Sequence, residues 1–172
     1  MNKLIILENI GFKISWKLIS IGLFGDVEIP ISLTHDDVLD YLNGLLTDIN
    51  EQTDNIIALI CEKDNYTKFN ILLQELASKD NSNTAIQKRK WRAYLLKTLL
   101  DNISKDCLQG LLELIEFWTS MGMPDDCPQT FPSSGNKKTI QDYFTQSSYK
   151  FNLDKNRVWL NEEISAIIKS EL

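Results

Sequence analysis

The stretch THDDVLDYLNGLLTDIN, Thr34 to Asn50, carries the clearest helical period in the chain. Val38, Leu39, Tyr41, Leu42, Leu45, Leu46 and Ile49 recur at spacings of three and four, so they share one face of an α-helix. Thr34 and Asp37 stand at capping-box spacing, with Asp in place of the usual Glu or Gln, and fix where that helix begins. Opposite the leucines, Asp37, Asp40, Asp48 and Glu51 fall within one narrow arc when each residue advances by about 100°.

Outward from this segment the same period continues. Ser15 is placed to cap a short helix through Trp16, Leu18, Ile19 and Leu23, and Gly25 and Pro30 mark a connection. Asp54 and Asn55 are expected to cap IIALICE, and a further helix carries Phe69, Ile71, Leu72, Leu73 and Leu76 as far as the polar run KDNSNT. Ala85 to Leu100 reads as the next helix. Another starts at Ser104 or Lys105, carries Leu108, Leu111, Leu112, Ile115 and Trp118, and stops at the Gly122-Met-Pro124 breaker. DDCPQTFPSSGNKK reads as irregular, and Thr139 and Asp142 as the start of a short helix. YKFNL and RVWLN alternate about DKN, which predicts a small hairpin, and NEEISAIIKSEL reads as a closing helix capped by Asn161. The expected fold is therefore mainly α, a single-domain helical bundle over residues 1–172 with seven or eight helices and a small C-terminal β-hairpin.

Composition agrees with a globular domain. The chain has 172 residues, of which 43% are hydrophobic and 24% charged, and needs no disulfide or metal to hold its core. At the start, LIIL is interrupted by Glu8 and is too short for a signal-peptide core, and no run approaches the roughly 20 apolar residues that span a bilayer. Cys61, Cys107 and Cys127 form no Cys-x-x-Cys pair and read as reduced thiols of a cytoplasmic protein, with Cys61 a small buried hydrophobe.

The charge is uneven. Between Lys17 and Lys63 there are nine acidic residues and no lysine or arginine: Asp26, Glu28, Asp36, Asp37, Asp40, Asp48, Glu51, Asp54 and Glu62. Like charges on one helix face cost roughly 0.2–0.5 kcal/mol per pair, so folding alone does not favour this arrangement. Solvated helix faces are commonly charged, but a field of one sign also steers a cationic partner. Asp36, Asp37, Asp40, Asp48, Glu51 and Asp54 are accordingly the candidate contacts for a basic protein. A net charge of −6 argues against affinity for nucleic acid or anionic membranes.

Little other chemistry stands out. His35 is the only histidine, so a hydrolase or metal-dependent site would have to centre on His35 with Asp36, Asp37 or Asp40; it is more simply an exposed residue of a first helical turn. KRKWR, Lys88 to Arg92, is the one basic cluster and offers a nucleic-acid reading, but on a helix its cations fan over more than half the circumference and Trp91 turns to the core. Acids beside Cys127 raise a thiol pKa rather than activate it. No glycine-rich phosphate loop is present. No catalytic residue, metal or cofactor is assigned.

The order RKWRAYLLKTLL, LLELIEFWTSMGMP and then FP resembles the bacterial family known as domain of unknown function 2247. The likeness rests on Lys90, Trp91, Leu95, Leu96 and Leu99, then on Glu113, Ile115, Trp118, Met121 and Pro124, with GFKISW and the segment Ile31 to Val38 also similar. The family usually has an acid at the position of Thr119 and aromatics at Met121 and Met123. Some members lie beside contact-dependent bacterial toxins and are taken to be their immunity proteins. The resemblance thus implies a cytoplasmic inhibitor that binds a cationic toxin domain, a nuclease by expectation, and implies no catalytic residue.

Overall fold

A computed structural model describes residues 2–46, 52–131 and 143–171. Those residues contain eight α-helices: α1 Lys3–Ile10, α2 Trp16–Phe24, α3 His35–Leu45, α4 Thr53–Cys61, α5 Tyr66–Lys79, α6 Thr84–Asn102, α7 Cys107–Ser120 and α8 Gln146–Ser170. No strand occurs among the described residues. The chain divides into two compact units, Met1–Trp91 with Ser170–Leu172, and Arg92–Lys169, the boundary falling within α6.

In the first unit α1, α2 and α5 each start at a short polar side chain that caps them. Asn2 accepts from Leu4 N at 2.9 Å, Ser15 Oγ from Leu18 N at 3.1 Å, and Asn65 Oδ1 from Lys68 N at 3.2 Å. These caps satisfy amides that the helix itself leaves without partners. α1 closes in a Schellman turn: Gly11, at φ 103°, donates to Glu8 O at 2.8 Å, and Phe12 N donates to Leu7 O at 3.1 Å. α3 packs on α1 and α4, and α5 on α2 and α4, around Leu4, Leu7, Leu18, Leu42, Ile56 and Phe69, all buried. Trp91 of α6 donates its indole N–H to Leu18 O at 2.8 Å. A Cβ at Gly22 would lie 2.2 Å from that indole, so only glycine fits there.

Lys90 is buried completely in this unit, and its three ammonium protons reach Lys13 O at 2.6 Å, Gln87 Oε1 at 3.1 Å and Glu171 Oε1 at 2.5 Å. Burial depresses its pKa, and the Glu171 carboxylate opposes that shift. A buried charge is tolerable only with such a full set of acceptors.

The second unit is organised by neutral polar groups. Trp118 Nε1 donates to Asn156 Oδ1 at 2.7 Å, Asn156 Nδ2 to Gln129 Oε1 at 3.0 Å, and Gln129 Nε2 to the Tyr143 hydroxyl at 2.8 Å. Asn152 Oδ1 accepts from Thr130 N and Oγ1, both at 2.9 Å. No buried side-chain nitrogen or oxygen among the described residues lacks a partner, so the network is complete. Leu111, Tyr143 and Tyr149 make an apolar cluster beside it.

The predicted hairpin does not form. Tyr149 to Asn161 lies inside the single helix α8, and Asn161 is exposed in its middle rather than a cap. The residues facing the core, Tyr149, Asn152, Asn156, Leu160, Glu163 and Ile167, do follow helical spacing, but three of the six are polar and the apolar period is lost to view. DKN also lacks the glycine that a tight hairpin turn favours.

Smaller boundaries differ too. α4 begins at Thr53 without a side-chain cap, because the Gln52 amide accepts from Trp16 Nε1 and Asn55 Nδ2, leaving Asp54 and Asn55 in the first turn. α7 starts at Cys107, two or three residues later than expected, capped by Asp106, and Ser104 O accepts instead from the Tyr149 hydroxyl. Cys61 is exposed rather than buried, at the last position of α4. The predicted helix start at Thr139 and Asp142 lies outside the described residues.

Candidate functional site

The start of α3 is built by the capping box that the sequence encodes. Thr34 Oγ1 accepts from Asp37 N at 3.1 Å, and Asp37 Oδ2 accepts from Thr34 N at 2.9 Å. The cap and the first residue of α1 reinforce it: Asn2 Nδ2 donates to Asp37 O at 2.5 Å, and Lys3 Nζ lies 3.6 Å from Asp37 Oδ2. Burial pushes the Asp37 carboxyl up, but the Thr34 donors and Lys3 outweigh it and hold the pKa below its ordinary value. Asp37 is therefore committed to the fold.

Asp36 and Asp40 differ. Both are exposed, and among the described residues no cation approaches either within 4.0 Å. They sit one helical turn apart, so their carboxylates lie on adjacent turns of one surface. Asp54, in the first turn of α4, is likewise exposed and has no described cation beside it. Asp48 and Glu51 lie outside the described residues. Of the other acids in the stretch without cations, Asp26 pairs with Lys88 Nζ at 2.7 Å, which holds its carboxyl low despite partial burial, and Glu28 lies 4.0 Å from the same ammonium.

His35 is half-buried, not exposed. Its ring stacks on Tyr66 at 4.1 Å between centroids, meets the edge of Phe69 at 5.4 Å, and its Nε2 shares a 2.7 Å hydrogen bond with Asn70 Oδ1. These three partners belong to α5, so the imidazole brackets α3 to α5. A helix turns neighbouring side chains about 100° apart, and the carboxylates of Asp36 and Asp37 do not join it in one site. Among the described residues no three of His, Cys, Asp or Glu are grouped to hold a metal ion.

The basic cluster is spent within the fold. Lys88 holds Asp26, Lys90 is buried, Trp91 is core, Arg89 is half-buried, and Arg92 Nη1 lies 3.5 Å from Asp126 Oδ1. The five residues offer no shared exposed face for a phosphate backbone. The Cys127 thiol is pushed up by its burial and further by Asp126, the direction the sequence implied.

A cleft of about 320 Å³ opens in the first unit between Trp16, Ile19, Tyr41, Leu42 and Ile56, with Asp80 at its rim. Sequence reasoning assigned nothing here. Its polar groups already have partners: the Tyr41 hydroxyl donates to Glu8 at 2.5 Å, Trp16 Nε1 to Gln52 at 2.9 Å, and Asp80 accepts from Lys17 N at 2.9 Å and Ser82 N at 2.8 Å.

What emerges is a mainly α-helical protein whose first unit presents exposed carboxylates that have no counter-ion among the described residues. The chain belongs to the family described as an uncharacterized protein conserved in bacteria, domain of unknown function 2247, whose model matches residues 4–164. The residues that carried the resemblance are largely structural: Trp91, Leu96 and Trp118 are fully buried and Met121 nearly so. No curated protein and no solved structure matches the chain. None of its described helices is long and apolar enough to cross a membrane.

Proposed function

We propose that the protein is a cytoplasmic immunity protein that binds a cationic bacterial toxin domain, a nuclease by the family's implication, and occludes it stoichiometrically without chemistry. The observation that carries this reading is the pair Asp36 and Asp40, exposed on one helix face without a described counter-cation, in a chain segment that holds no lysine or arginine from residue 18 to residue 62. Asp54 adds a third carboxylate from α4. Asp37, which holds the cap, contributes long-range field rather than contact.

Such a field raises association rates with an oppositely charged partner by about 10 to 1,000-fold. Burying carboxylates is favourable only when cations pair with them, so the complementary surface is rich in lysine and arginine. A large secreted protein with a basic C-terminal domain is expected to be encoded beside this chain's gene, and that domain is the probe; a neighbourhood without one counts against the reading. The domain's association rate with the wild-type chain is expected to fall steeply from about 0.05 to 0.5 M salt, as screening shortens the Debye length. The Asp36→Lys/Asp40→Lys variant is expected to associate more slowly at low salt and to lose protection of cells producing that domain. An on-rate indifferent to salt and to both substitutions overturns the reading.

A further inference from the structure

The connection between α2 and α3 displays apolar side chains where a loop made only to join helices would hide them. Val27 is 99% exposed and Ile31 69% exposed. The backbone beneath them is held at many points. Gly25, at φ 76°, donates to Ile21 O at 2.8 Å, Asp26 N donates to Ile29 O at 2.7 Å, and the amides of Ser32 and Leu33 both reach Gly22 O at 2.8 Å. Ile29 is buried as an anchor beneath the turn, and Lys88 clamps the Asp26 carboxylate from α6. The turn is therefore built, and it points a valine at solvent where that side chain adds nothing to the folded core.

Acidic residues flank this apolar tip: Asp26 and Glu28 share the Lys88 ammonium, whereas Asp36 and Asp40 have no described cation beside them. Glu28 is half-exposed next to Val27. Four residues lie between Ile31 and Asp36, a chain distance of at most about 17 Å, so Ile31 and the first unpaired carboxylate of α3 lie closer together than the width of an interface of ordinary size. An apolar projection held rigidly and flanked by charge has the form of an interface anchor, where ordering costs are already met before binding.

We propose that Val27 and Ile31 are the apolar anchor of the interaction surface, seated in a pocket that is rimmed by lysine or arginine on a folded basic protein. This inference rests on the function proposed above and names the kind of surface its partner carries. Steering and anchoring act on different rate constants, which separates the two claims: carboxylates around the rim govern association, whereas a desolvated apolar anchor governs dissociation.

The experiment measures association and dissociation of the same toxin-type domain with three forms of the full chain: wild type, Asp36→Lys/Asp40→Lys, and Val27→Ser/Ile31→Ser. Both positions of the last variant are exposed, and an unchanged melting curve verifies its fold. The expected result is dissociation faster by about tenfold or more for Val27→Ser/Ile31→Ser, with an unchanged association rate and salt dependence. Dissociation within about twofold of wild type, while the aspartate variant still associates slowly, overturns the anchor and leaves the acidic surface standing. A wild-type chain that does not bind the domain overturns both.

Discussion

In α3 the carboxylates of Asp36 and Asp40 stand in solvent while Val38 and Leu42 are buried; in α8 the amides of Asn152 and Asn156 are wholly buried while Phe151 and Val158 are half-exposed. The first arrangement gains its stability from apolar burial and leaves its polar face available. The second places hydrogen-bonding groups where water cannot compete, so that Trp118, Gln129, Thr130 and Tyr143 are each held in one orientation. The exposed carboxylates Asp36 and Asp40 of the first unit's helix are thus free to change without loss of fold, and the buried amides of the second unit's helix are not.

The largest expected effect tests the buried side of this contrast. Asn156→Leu keeps the branched side-chain skeleton, though with bulkier methyl groups, and strands the Trp118 N–H and the Gln129 carbonyl, each worth roughly 1–3 kcal/mol when left without a partner. Destabilisation of about 3 kcal/mol by urea denaturation is expected, and a cost below about 0.5 kcal/mol would remove the network from the account. Thr34→Ala should cost about 1 kcal/mol, because it removes the α3 cap. The companion group, Asp37, has its pKa lowered on folding, so its contribution is present at neutral pH and is lost as the pH falls below the usual carboxylate range near 4. Acid titration of the melting temperature should show a shallower loss in Asp37→Asn than in wild type. The smallest effect is expected on the exposed face: Asp40→Asn relieves repulsion from Asp36 and Asp37 and should stabilise by roughly 0.2–0.5 kcal/mol. A loss of more than about 1 kcal/mol there would mean that the carboxylate serves the fold after all.

The same contrast explains what could be read from the sequence. α3 was legible because its polar residues mark solvent and its apolar residues mark the core, and its cap obeys a short-range rule. α8 was mistaken for a hairpin and a short helix because Asn152, Asn156 and Glu163 occupy core positions, so hydrophobic periodicity could not find its buried face. α1 was passed over although Asn2 and Gly11 bracket it correctly, since LIIL is too short to display a period. At the candidate site the exposed acids were legible as residues, but which of them remained available was not. The pairs Lys3 with Asp37 and Lys88 with Asp26, and the bracket of His35 by Tyr66, Phe69 and Asn70, join segments distant along the chain. No local pattern encodes such pairings.

Cys61 gives the acidic unit a ready reporter. It is the one exposed cysteine of the three, at the end of the helix that begins beside Asp54, whereas the Cys127 thiol is disfavoured as thiolate by burial and Asp126. A maleimide dye should therefore attach there selectively in the unmodified chain, and its emission would follow docking on the neighbouring carboxylates without any engineered label.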